Sequence, residues 1–337
     1  MKHLPKVLLH DHLDGGLNPE TIIQIASEIG YDKLPTTKTS ELADWFQAAC
    51  DSGSLVRYLE TFDHTIAVMQ REEDLIRVAR EAVQNLAADG VIYAEIRVAP
   101  EHFTKKGLTL EGVIEAMLEG YRQGEALTGI KANAILCGMR QLDKSQQVAE
   151  LAVTYREQGV VGFDIAGPES GFPPTLQQET FAYLKRADFP FTIHAGEAAG
   201  PESIELAINA CGAKRIGHGV RIVEDLPNGE VAKQVLDEQI HLEICPTSNL
   251  QTGVADTYLS HPVNRLYEAG FNIGINTDNR LMSRTSLSHE FQECQKAFGW
   301  GLAEFKEVTI CALNAAFLAD KSQFLMQIGD TYDRLQR

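Results

Sequence analysis

The sequence has no long apolar run. Nothing in it approaches the roughly 18 uninterrupted hydrophobic residues of a membrane span. Val7-Leu8-Leu9 near the start is cut off by His10 and Asp11, too short for a secretory core. Positive charge is also scarce. Lys plus Arg number 30 against 47 Asp plus Glu, a formal net charge of −17. Such a surface repels phosphate backbones and anionic lipid, so no nucleic acid and no membrane is expected as a partner, whereas a small molecule in a pocket is. There is no CxxC pair: Cys50, Cys137, Cys211, Cys245, Cys294 and Cys311 are scattered, which argues against a disulfide framework and a cysteine zinc site. A PCxxC segment of the cytidine-deaminase kind is missing too. No GxGxxG or GxxxxGKS/T follows the first apolar run, which removes the main signal for dinucleotide and nucleotide-phosphate folds. No repeat, low-complexity tract or linker divides the chain. These absences leave a reduced, cytoplasmic protein of 337 residues with an ordinary 44% hydrophobic and 23% charged composition.

What is present is an alternation. Short β-rich runs occur at Val7–His12, Gly90–Val98, Lys131–Cys137, Val160–Ile165, Phe191–His194, Arg215–His218, Ile240–Cys245 and Phe271–Thr277. Helical spacing lies between them. Leu75, Val78, Ala79, Ala82, Val83 and Leu86 share one face, as do Val113, Met117, Leu118 and Tyr121. Asp143–Gln158, Ser203–Ala210 and Glu230–Glu238 read the same way. Strand–helix alternation implies parallel strands and an α/β class. Eight units without a nucleotide-binding loop favour a (β/α)8 TIM barrel over an open sheet. The surplus length fits additional helices after strand 1, in Asn18–Met69, and at the C-terminus. The expectation is a single domain over 1–337, a monomer or a weak homo-oligomer.

The reactive residues gather at the ends of these runs. The first ends in HDHLDG, with His10 and His12 two apart and hence on the same side of an extended chain. The fifth ends in HAGE, with His194 and Glu197; the sixth in IGHG, with His218; the eighth in NTDN, with Asp278. In a barrel these C-terminal ends meet on one face, where active sites of the fold are built. An HxH pair alone is a weak sign, because strand histidines are readily exposed or satisfied by hydrogen bonds. Adding His194 and Asp278 supplies three nitrogens and a carboxylate, a donor set suited to one Zn²⁺ carrying a water. His3, His64, His102, His241, His261 and His289 are assigned to the surface or to local hydrogen bonding. A metal-assisted hydrolysis also needs a base or orienting group, for which His218 is suited, and an acid. Glu197, if desolvated, keeps a proton to donate. Asp278 both ligates the metal and accepts from the water. The residues themselves lead to a mononuclear zinc hydrolase and leave its substrate open.

The ordered set HDHLDG, SLVRYLETFDHTIAVMQ, GFDIAGPE, HAGEAAGPESI, RIGHG, CPTSNLQTG and NTDN resembles the adenosine deaminase family of the metal-dependent amidohydrolases over nearly the whole chain. The resemblance implies hydrolysis of the exocyclic amine of adenosine or deoxyadenosine, giving inosine or deoxyinosine and ammonia, by a zinc-bound hydroxide. It implies His10, His12, His194 and Asp278 as ligands of one zinc, and Glu197 as proton donor to the ring nitrogen beside the attacked carbon. His218 then orients the hydroxide, the Gly167 N–H donates to another ring nitrogen, and Asp14 contacts the ribose 5′-hydroxyl. Leu55, Tyr58, Leu59, Phe62 and Met139 resemble the apolar lining and lid.

One position departs from the pattern. Many members carry an aspartate after the ligand aspartate, where this chain has Asn279. An amide donates to the purine's imidazole nitrogen without first being protonated, so activity is expected to be retained. The nearest rivals act on free adenine or an aminodeoxyfutalosine-like nucleoside, and Asp14 favours the ribonucleoside. A binuclear hydrolase commonly needs a bridging lysine on strand four, where Val160–Ala166 offers Asp164 instead. A barrel that keeps zinc but has lost turnover is the remaining, non-enzymatic alternative.

Overall fold

Short runs rich in Val, Ile and Leu, covered on both faces, form eight parallel strands in the computed structural model of the chain. They are β1 (Lys6–His12), β2 (Val91–Val98), β3 (Lys131–Met139), β4 (Val160–Ala166), β5 (Ile193–Ala195), β6 (Arg215–His218), β7 (His241–Ile244) and β8 (Ile273–Ile275). The structure describes residues 1–52 and 55–336, with the side chains of Leu55, Val56, Tyr58 and Leu59 outside that description. Strands pair in chain order, β1-β2-β3-β4 and β5-β6-β7-β8. Two bridges join these halves. Phe163 pairs with Phe191 ahead of β5, and Asp11 pairs with Asp278 beyond β8. The ring so closed is the expected (β/α)8 barrel, with every strand pointing its C-terminal end to one face. All eight expected runs are strands. The fifth, seventh and eighth are shorter than the runs read from the sequence, and ahead of β5 Phe191 keeps only its single bridge to Phe163.

The helices bury the faces their spacing indicates. Helix Glu72–Ala88 buries Leu75, Val78, Ala79, Ala82, Val83 and Leu86, and opens with Glu72, Glu73 and Asp74, whose charges oppose the helix dipole. It lies directly on helix Leu110–Thr128. A Cβ on Gly120 would stand 2.4 Å from the Ile76 carbonyl oxygen, and one on Gly124 2.5 Å from Val83 Cβ, so larger residues would force the pair apart. Between β1 and β2 the chain inserts helices Pro19–Ile29, Thr39–Cys50 and Leu55–Ala67. Asp51 accepts from Gln251 Nε2 at 2.7 Å, and Asp44 pairs with Arg284 at 2.5 Å. Both partners follow strand ends, so the insertion borders the C-terminal mouth of the barrel. The C-terminal helices Leu287–Phe298, Leu302–Ala315 and Ser322–Gln336 complete the outer layer, the middle one packing across β8 and β1. Among the described residues no helix is long and apolar enough to cross a membrane. All six cysteines are free thiols.

Candidate active site

Strand ends of β1, β5, β6 and β8 bring His10, His12, His194, His218 and Asp278 to one spot. His10 Nε2 and His12 Nε2 lie 3.5 and 3.3 Å from the same Asp278 Oδ1. The His10 ring centroid is 4.6 Å from that of His194 and 4.7 Å from that of His218. Among the described residues, donor atoms of His10, His194, His218 and Asp278 all fall within 4.8 Å of one another. His218 and Asp278 are in the left-handed region, at φ 62° and 56°, a conformation that a side chain makes costly and that surrounding bonds must hold. For Asp278 those bonds come from β1: its N–H donates to the His10 carbonyl at 3.0 Å, and its own carbonyl accepts from His12 N–H at 2.8 Å.

A layer of buried charges beneath the rings aims them. His10 Nδ1 lies 3.0 Å from Glu243 Oε2, and His194 Nδ1 lies 2.8 Å from Asp164 Oδ2. With each Nδ1 engaged, the Nε2 atoms turn toward the shared spot. Arg97, on β2, bonds Asp164 through Nε at 2.7 Å and Glu243 through Nη2. Arg215, on β6, reaches Glu243 and also Glu95 at 2.7 Å. Burial alone would raise the Glu243 carboxyl, but Arg97 and Arg215 outweigh it and hold it far below the usual range. Asp164 is likewise buried, and His194 and Arg97 hold it well below its ordinary value. Burial, helped by Arg97, lowers His10 to about 4, and burial takes His12 well below its usual value, so both are neutral rings. At His194 burial acts in the same direction, but Asp164 overrides it and raises that imidazole.

These features fit a divalent cation. Neutral imidazoles present lone pairs, and His10 Nε2 is buried with no hydrogen-bond partner. Two ligands each about 2.1 Å from one ion at tetrahedral angles lie about 3.4 Å apart. The His10 and His12 nitrogens stand at 3.5 and 3.3 Å from the Asp278 oxygen, at that spacing.

Glu197 sits on a turn that another carboxylate holds in place. Glu169, from the GPE segment after β4, accepts from the backbone N–H groups of Gly196, Glu197, Ala198 and Ala199 at 2.6, 3.1, 2.7 and 2.9 Å. Glu197 Oε2 is 3.4 Å from His218 Nε2, and Oε1 accepts from Thr252 Oγ1 at 3.1 Å. Burial raises the Glu197 carboxyl above its usual value. Burial also pushes Asp14 up to about 6, with Asp278 close enough to add to the effect. Gly167 has φ 97°. A Cβ there would stand 2.5 Å from Gln141 Oε1 and 3.2 Å from Met139 Cε, so only glycine leaves its backbone approachable. Asn279 is buried against Gly15, where a Cβ would collide with its side-chain oxygen at 2.0 Å. Phe62 is half-buried against the core. The side chains of Leu55, Tyr58 and Leu59, expected to line a lid, lie outside the described residues.

Sequence reasoning missed the supporting layer: Arg97, Glu95, Arg215, Glu243, Glu169, Ser248 and Asn249. Ser248 Oγ donates to Asp278 Oδ2 at 2.6 Å, and Asn249 Nδ2 meets His218 Nδ1 at 3.3 Å. The available signal was charge within VIYAEIRV, a strand buried along its whole length. Two histidines assigned to surface or local roles, His241 and His261, are in fact buried; each does engage a neighbour locally, Asn272 and the Val263 N–H respectively.

The adenosine deaminase family model matches residues 5–329. The chain belongs to that family. It is 51% identical over 331 residues to adenosine deaminase 1 of Streptomyces coelicolor, covering 94% of this chain and 84% of that protein. The fold is that of an adenine deaminase from Arthrobacter aurescens, at TM-score 0.89, 24% identity, and 98% and 99% of the two chains. An amidohydrolase from Burkholderia ambifaria with bound Zn is similar at TM-score 0.87 and 25% identity, over 99% of this chain and 92% of the other. The deaminase family is metal-dependent, and the His/Asp cluster of this member fits that requirement.

Proposed function

We propose that this adenosine deaminase family member hydrolyses adenosine and deoxyadenosine to inosine and deoxyinosine, releasing ammonia, with one Zn²⁺ held by His10, His12, His194 and Asp278. The observation that carries the reading is the meeting of those four side chains on one barrel face, beside Glu197, whose carboxyl burial raises above its usual value. They meet in a chain 51% identical to a protein named adenosine deaminase 1. When bound, the ion supplies Lewis acidity that yields a nucleophile from water near neutral pH.

The rest is done by the chain. Glu197, whose hold on its proton is strengthened by burial, gives that proton to the ring nitrogen beside the amino-bearing carbon, which makes that carbon electrophilic. Asp278 accepts a hydrogen bond from the attacking water, and His218 orients it. The Gly167 N–H and the Asn279 amide donate to two further purine nitrogens, and Asp14 accepts from the ribose 5′-hydroxyl. Met139 and Phe62 contribute apolar wall that excludes bulk water. Oxygen enters from water, the amine leaves as ammonia, and no other reactant is consumed. We assign this to one catalytic domain spanning the chain, acting in the cytoplasm as a monomer or weak homo-oligomer. The test is ammonia release and product identification with adenosine, deoxyadenosine and adenine in parallel. Inosine formation with little turnover of adenine supports the reading; adenine turnover exceeding that of adenosine overturns it.

A further inference from the structure

His218 is reached from behind by a chain of three hydrogen bonds whose polarity is fixed at its far end. A backbone N–H only donates, and that of Val263 donates to His261 Nδ1 at 3.0 Å. His261 Nδ1 is therefore bare, and the ring's one proton is on Nε2. Burial of His261 pushes it down to about 3, so the ring is neutral at working pH. Its Nε2–H then donates to Asn249 Oδ1 at 3.4 Å. That fixes the amide: Oδ1 faces His261 and the N–H₂ group faces His218, whose Nδ1 is 3.3 Å from Nδ2. An N–H₂ group only donates, so His218 Nδ1 is an acceptor and carries no proton. Asn249 and His261 are 0% and 3% exposed, so water cannot replace either partner.

We propose that His261 and Asn249 are positioning residues that lock His218 in its Nε2–H tautomer, so that it meets the reacting atoms as a hydrogen-bond donor and not as a base. This rests on the reading above for what the donor acts on, though the tautomer does not. The Nε2–H points to the side where Glu197 Oε2 lies at 3.4 Å and where the ligand cluster gathers. A ring so locked cannot take a proton on Nε2, and taking one on Nδ1 would force the amide to turn and break its bond to His261. His218 is thus suited to hold the attacking oxygen in place and to stabilise the negative charge that develops on it. The short helix Pro246–Gln251 serves the site twice, since Ser248 steadies Asp278 one residue before Asn249 steadies His218.

The test uses the metal-loaded full chain with ¹⁵N-labelled histidine. In the native protein the expected spectrum shows His218 with a bare Nδ1 and a protonated Nε2. A protonated Nδ1 on neutral His218 overturns the proposal, whatever the enzyme's activity. Asn249→Asp keeps the side chain's shape but offers His218 only acceptors, so its Nδ1 must take up a proton. The neutral ring then has no Nε2–H, and kcat on the alkaline side is expected to fall about a hundredfold with KM within about twofold. A native kcat across the alkaline range, or a bare Nδ1 in that variant, contradicts the proposal. His261→Leu frees the amide to turn and is expected to give mixed tautomers with a smaller fall in kcat, while His261→Gln, which again donates to Asn249, restores it. If neither Asn249→Asp nor His261→Leu folds, the native spectrum alone decides. A correct tautomer in a protein inactive on adenosine would count against the proposed substrate and not against the lock.

Discussion

Glu169→Gln should weaken the enzyme through a residue that touches no substrate. Glu169 Oε2 accepts from Glu197, Ala198 and Ala199, and Oε1 from Gly196, with all four distances between 2.6 and 3.1 Å. Glutamine fits the same space but has one oxygen. Its best orientation keeps the three bonds at the Oε2 position, now to a neutral acceptor, and turns an N–H₂ toward the Gly196 N–H. A charge-assisted bond contributes about 1.5–3 kcal/mol and a neutral one about 0.5–1.5 kcal/mol, so three weakened bonds and one lost remove roughly 4.5–7.5 kcal/mol of support from the turn. Part of that appears as lower stability, and the rest as displacement of Glu197. A shift near 1 Å at a reacting group lowers rate about a hundredfold. Urea unfolding and steady-state kinetics on adenosine measure the two parts separately. If the variant matched the native protein in both, the Glu169 clamp would not be what positions Glu197.

Three further expectations concern single buried groups. Glu243→Gln leaves Arg97 and Arg215 short of a charge partner in the barrel interior. It is expected to destabilise the fold by about 3–5 kcal/mol and to weaken metal binding about 10- to 100-fold, read by unfolding and chelator competition; unchanged metal affinity would refute the role given to Glu243 in aiming His10. Glu290 is pushed up from the ordinary 4.5 to about 7 by burial, beside the Thr247 and Thr285 hydroxyls. Over that interval the unfolded chain has released the proton and the native one keeps it, so stability falls as pH rises from about 4.5 to 7, by roughly 3 kcal/mol. Glu290→Gln should remove that slope from urea midpoints, and an unaltered slope contradicts it. The native chain with Asn279 is expected to be active on adenosine, and Asn279→Asp to lose activity at alkaline pH as the carboxyl loses its proton. An inactive native protein beside an active variant would reverse the reading of Asn279.

Much of the fold was legible because the strands of a barrel are buried on both faces, and their apolar runs stand out between helices with a 3.6-residue period. The chemistry-bearing ends were legible for the same reason: His10, His12, His194, His218 and Asp278 interrupt or close those runs. The supporting layer was not, because it depends on which strands meet. Nothing in the spacing of Arg97, Asp164 and Glu243 states that one guanidinium joins β2 to β4 and β7. Asn249 and His261 are linked to His218 only through the turn of a short helix and a loop, so His261 read as an ordinary loop residue. Glu169 lies 28 positions before Glu197, and only the closed ring of strands brings the two turns together.

The most direct measurement is the ultraviolet spectrum of adenosine incubated with purified protein, before and after removal of metal by a chelator and after zinc is restored. Conversion to the inosine spectrum that stops with chelation and returns with zinc is the expected result. A protein with zinc demonstrably bound at one per chain that leaves the adenosine spectrum unchanged would contradict it.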